Sequence, residues 1–127
     1  MRSYSEYIQR ARTFQKKALE EFSKSNGDET AIRQSAEKAW GAVVQATNAL
    51  FVKYGMKPPK GTTRREKLLF ELERKNQEFA KAEILDKFTR FLYSLHVLCF
   101  YEGDFSAELI ERDIRRVEDF INLCSRL

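Results

Sequence analysis

Apolar residues recur every three or four positions over most of the chain. Tyr4, Tyr7, Ile8, Ala11, Phe14, Ala18 and Phe22 form the first such stripe, and predict an amphipathic helix. Asn26-Gly27 is its stop signal, and Asp28 is placed to cap a second helix. That helix carries Ala36, Ala39, Trp40, Val43, Thr47, Leu50, Phe51 and Tyr54 on one stripe and ends at Gly55, ahead of the stiff loop MKPPKG. Thr63-Arg64-Arg65-Glu66 has the spacing of a capping box, so a third, shorter helix with Leu68, Leu69 and Leu72 is expected to start there. The polar run Glu73 to Glu78 is the expected break. A fourth helix is expected from about Ala82 to Glu102, stopped by Gly103. A fifth starts near Ser106 and carries Leu109, Ile110, Ile114, Val117, Ile121 and Cys124. With no strand-like alternation and no repeat, the expectation is one all-α domain over residues 1–127, a five-helix, mainly antiparallel up-and-down bundle.

The fourth helix differs from the others. At about 100° per residue, Ile84, Leu85, Phe88, Phe91, Leu92, Leu95, Leu98 and Cys99 make an ordinary core stripe. The opposite side carries Asp86, Arg90, Tyr93, Val97, Phe100 and Tyr101. A helix apolar nearly all round needs cover on both sides, so it is expected to be central, to lie at a subunit interface, or both. Tyr93, Val97, Phe100 and Tyr101 are the expected homodimer interface, since a two-fold axis pairs one patch with itself. Cover by the fifth helix and the N-terminal segment is the alternative.

Between the two stripes stands the chain's one histidine, His96. The second helix offers it a matching flank of Glu37, Gly41 and Asn48. An inward Glu37 needs a partner, and His96 or Arg90 can supply one. Gly41 inside a helix predicts the close approach of a neighbouring backbone or ring. Glu102 continues the core stripe at the C-terminal end of its helix, against the helix dipole. Glu37, His96 and Glu102 are therefore the expected polar cluster.

Composition narrows the chemistry. Of 127 residues, 43% are hydrophobic and 33% charged, enough for a real core without staples. Cys99 and Cys124 lack metal-ligand spacing and sit among apolar residues, so neither a metal nor a cofactor is expected. The N-terminus lacks an apolar signal region, and the apolar stretch Phe91 to Tyr101 is too short to span a bilayer. A cytoplasmic protein without a membrane partner is the expectation. Net charge is +4, and Lys53 to Lys75 concentrates it, with eight basic and three acidic side chains. Arg64, Arg65 and Lys67 are the expected contacts to nucleic acid or phosphate, against the simpler alternative of a solvated helix face.

Two segments carry a family likeness. SAEKAWGAVVQATNALF, Ser35 to Phe51, resembles the second helix of the HEPN superfamily of helical bundles. Paired with LHVLCFYEG, its AEKAW resembles the archaeal PaREP-type proteins, in which a later helix carries His followed by Phe-Tyr-Glu-Gly. The resemblance runs from roughly Tyr4 to Leu127 and implies a HEPN-like four-helix core. HEPN domains are implicated in binding nucleotides or RNA; some are ribonuclease toxins and others are non-catalytic partners of small nucleotidyltransferases. Catalytic members carry an Arg, four to six residues, then a His, usually completed across a dimer. Arg90 and His96, with five residues between them, fall within that pattern. The imidazole would exchange protons near neutral pH and the guanidinium would steady phosphate charge. Two features oppose the catalytic reading. Six steps on a regular helix set the two side chains about 120° apart. Phe91 stands where active members often have a polar residue.

Three functions follow as expectations. The first is a non-catalytic, dimeric HEPN-like module engaging RNA, a nucleotide or a partner protein such as a nucleotidyltransferase. The second is a metal-independent endoribonuclease of the toxin type using Arg90 and His96. The third is a purely structural helical scaffold whose polar cluster fixes helix register.

Overall fold

The computed structural model describes residues 2–127. Every element among the described residues is helical, with six α-helices and one π-helical segment. The first two are α1 (Tyr4–Ser23) and α2 (Glu29–Lys53). Ser3 caps α1 through a reciprocal box with Glu6, and the Asp28 side chain accepts from the amide of Ala31 to cap α2. A short connection folds the two helices back on each other, and they share the most extensive packing in the molecule.

The central helix is α2. Its buried residues include Ala36, Ala39, Ala42, Val43, Ala46, Ala49 and Leu50, which occupy several faces at once. The many alanines let α1, the last helix and the π-helical segment all approach it closely. The central position expected for the fourth helix thus belongs to the second.

The middle of the chain departs from the expected five helices. Helix α3 (Thr62–Lys75) starts after Gly61, which has a φ of 87° and no side-chain capping bond. The capping box expected at Thr63–Glu66 does not form, because the helix begins a residue earlier and Thr63 lies inside its first turn. The expected break after α3 is present at Asn76, whose side chain accepts from the amides of Glu78 and Phe79. There it starts a six-residue α4 (Gln77–Ala82). A second break follows at Glu83, left-handed at φ 54°. It opens α5 (Ile84–Phe91), whose Leu85 amide donates to the Glu73 carboxylate at 2.9 Å. An acidic group from α3 thereby serves the positive end of α5.

Without interruption α5 runs into the π-helical segment Leu92–Glu102. At its end Gly103 adopts φ 67°, and its amide and that of Asp104 return to the carbonyls of Cys99 and Leu98. Arg33 of α2 takes carbonyls the turn leaves over, donating to Phe100 at 3.0 and 2.7 Å and to Tyr101 at 3.0 Å. A guanidinium at the negative end of the segment is favourable by the dipole as well. Helix α6 (Ala107–Arg126) closes the molecule, capped by Ser106 and burying Ile110, Ile114, Val117, Phe120, Ile121 and Cys124. Leu109, expected in that stripe, is instead exposed. No helix among the described residues is long and apolar enough to cross a membrane.

Candidate functional site

Glu37 and Trp40 are one turn apart on α2 and face the π-helical segment together. His96 Nδ1 lies 2.8 Å from Glu37 Oε1, the partnership expected from the sequence. The imidazole sits between two rings, with Trp40 at 5.7 Å and 26° on one side and Phe100 at 6.0 Å and 14° on the other. Tyr101 meets it edge-on at 5.3 Å. Hydrogen bonding from i to i+5 widens the π turn, so residues four and five ahead both flank the histidine. The carboxylate orients the imidazole through Nδ1 and favours the tautomer with its proton there. The histidine therefore contacts three rings and a carboxylate, and 27% of its side chain remains exposed.

Beside Glu37 opens a cavity of about 410 Å³ walled by Phe14, Gln34, Lys38, Gly41 and Phe100. Gly41 admits the Phe14 ring, which would stand 3.4 Å from a Cβ placed there. Glu102 does not join the cluster: it is exposed and bonds neither His96 nor Glu37. The wider turn moves it off the core line on which a regular helix would place it.

Arg90 faces elsewhere. It lines an open groove between α5 and α6, of about 650 Å³, with Arg112, Arg116 and Arg126. It pairs neither with Glu37 nor with Asp86 one turn earlier; among the described residues Arg90 has no ion-pair partner. Arg90 and His96 thus lie on different sides of one continuous helical stretch, towards α6 and towards α2. Within a single chain they do not share a cleft.

The expected interface residues divide in the same way. Tyr93 is exposed and lines the arginine groove, while Phe100 lines the cavity beside Glu37. Tyr101 is the most exposed large ring, at 68%, and Val97 is partly covered. Among the described residues no helix buries Tyr93 or Tyr101.

The basic stretch on α3 is divided too. Arg64 and Lys67 are exposed. Arg65 turns inward, donating to Thr47 Oγ1 at 2.8 Å, Asn48 Oδ1 at 2.6 Å and the Pro59 carbonyl at 3.1 Å, with its guanidinium over Phe51. Burial pulls its pKa down to about 10, which leaves it charged at neutral pH. Its donors are used in joining α3 to α2, so it is not available to a phosphate. The thiols are quiet: burial pushes Cys99 up to about 11 and raises Cys124 as well. No cluster of His, Cys, Asp and Glu among the described residues could hold a metal ion.

The groove arginines on α6 escaped the sequence reading, although a signal was present. Arg112, Arg116, Asp119, Leu123 and Arg126 recur in steps of four and three, a second stripe beside the core one. No curated protein and no solved structure matches the chain. A family model does match, over residues 6–121, and agrees with the likeness carried by the AEKAW and LHVLCFYEG motifs. The chain belongs to the archaeal PaREP1/PaREP8 family.

Proposed function

We propose that the protein is a non-catalytic, HEPN-like binding module that self-associates and engages RNA or a nucleotide. The observation that carries this reading is the separation of Arg90 from His96. A metal-independent cleavage needs the proton-transferring group and the phosphate-steadying group at one reacting phosphate. Here the histidine is engaged by Glu37 and packed among rings towards α2, while Arg90 stands in a groove towards α6. Such an imidazole is suited to fixing the packing of the π-helical segment on α2. Exposed Tyr101 gives the segment an outer aromatic surface on which a second copy would pack.

Overexpression of the wild-type chain and of His96→Ala tests the reading. Equal growth and equally intact cellular RNA are expected. Toxicity or RNA loss that disappears in His96→Ala would transfer the protein to the ribonuclease reading, with the pair assembled from two chains.

A further inference from the structure

We infer that the groove between α5 and α6 is the seat of a phosphate-bearing nucleotide ligand, its phosphates held by Arg90, Arg116 and Arg126 and a base laid on Tyr93. This rests on the reading of the protein as a module for RNA or nucleotides, and gives that ligand a place. The first support is how the arginines are used. Arg12 is engaged with Glu118 and Asn122, Arg33 with two carbonyls, Arg65 with α2 and its loop, and Arg115 with Glu111. Arg90, Arg116 and Arg126 have no hydrogen bond or ion pair among the described residues; Arg2, Arg64 and Arg74 also have none, but only the first three gather in one groove. Of the two carboxylates there, Asp113 is already engaged by Arg112 and by the hydroxyl of Ser94, while Asp119 forms no ion pair, and with Lys87 and four arginines the groove keeps an excess of positive charge. Gathering unpaired guanidinium groups costs repulsion that an anion relieves.

The second support is shape. A groove of about 650 Å³ falls within the size range of small-ligand sites. Its floor is apolar, made by Phe91 packed edge-on at 5.7 Å to Phe120, with Leu123 beyond. A guanidinium presents a planar fork that matches two phosphate oxygens, and an exposed tyrosine ring offers a face to any base. Ten residues separate Arg116 from Arg126, about 15 Å along the axis of α6. One phosphate does not bridge that distance. The polyphosphate of a mononucleotide and the successive phosphates of a single strand are the two sources of this chemistry.

The test is fluorescence anisotropy with a short labelled single-stranded oligoribonucleotide, with ATP and AMP as competitors. The wild-type chain is expected to bind, and Arg116→Gln with Arg126→Gln to lose at least about tenfold in affinity. Loss of two phosphate contacts lowers the slope of log affinity against log salt by about 1.4 for a single strand. Both positions are exposed, and an unchanged thermal melt confirms that the variant is folded. Lys16→Gln with Lys17→Gln, a charge-matched change on exposed α1 positions, is expected to bind like wild type. ATP displacing the strand from the groove would make the ligand a mononucleotide polyphosphate; displacement by RNA alone would make it a strand. Binding unaffected by the groove variant but lost in Arg64→Gln with Lys67→Gln overturns the groove and leaves the binding-module reading standing. No binding of any of these probes by the wild-type chain overturns both.

Discussion

Arg65 and Arg64 are adjacent in sequence and opposite in consequence. Removing the Arg65 side chain strands the acceptors on Thr47, Asn48 and Pro59 inside the molecule. Arg65→Ala is expected to cost about 2–3 kcal/mol in urea unfolding, whereas exposed Arg64→Ala should change stability by about 0.5 kcal/mol or less. Equal effects would mean that the buried bonds contribute nothing. Cys99 gives a second expectation at this scale. Its thiol is pushed up to about 11 from 9.0 by burial, so between those values the folded chain keeps a proton that the unfolded chain has lost. Stability must then fall as pH rises through that window, and Cys124 acts in the same direction. Urea midpoints at about pH 8 and about pH 10 should show the decline, and Cys99→Ala should flatten it. The inward turn of Arg65 was not legible in the sequence, since an arginine inside a basic run carries no local mark of burial.

At the scale of elements, what could be read in advance follows the regular 3.6-residue period. The stripes of α1 and α2, the Asp28 cap, the helix start near Ser106 and the stop at Gly103 are all local signals, and the structure uses each of them. The break in Glu73–Glu78 was also legible, because Asn76 is a capping residue within a polar run. Projection at about 100° per residue fails beyond Phe91, where the backbone widens into π turns and side-chain phase shifts. That shift is why Glu102 leaves the core line and why Tyr93 and Phe100 part company. The His96–Glu37 contact survives it. The end of the π-helical segment depends on Gly103. A Cβ there would require a left-handed backbone and would stand 3.1 Å from Arg33 Nη1 and 3.2 Å from Glu29 Oε1. Gly103→Ala is expected to cost at least about 1–2 kcal/mol, read as a lower urea midpoint. An unchanged midpoint would show that Arg33 is not needed on those carbonyls.

For the whole molecule, the two exposed aromatic positions and the groove set what it can meet. If Val97, Phe100 and Tyr101 form the self-association surface, sedimentation at high protein concentration should give a dimer, and Tyr101→Lys should shift it to monomer. A monomer at every concentration would leave the aromatic surface for a partner protein, of which a nucleotidyltransferase is the candidate. Family membership could be read from two short motifs on α2 and the π-helical segment, and the family match over residues 6–121 agrees with them. The arginine groove was far less legible, since its residues come from α5 and α6 and meet only in the fold.

Incubating a labelled RNA with the purified protein tests the central claim, that this is a binding module and not a nuclease, most directly. The bound fraction and the strand length are read from the same sample, for wild type and for His96→Ala. The account predicts RNA that is bound and of full length with both proteins. RNA shortened by the wild-type chain and left whole by His96→Ala would contradict it.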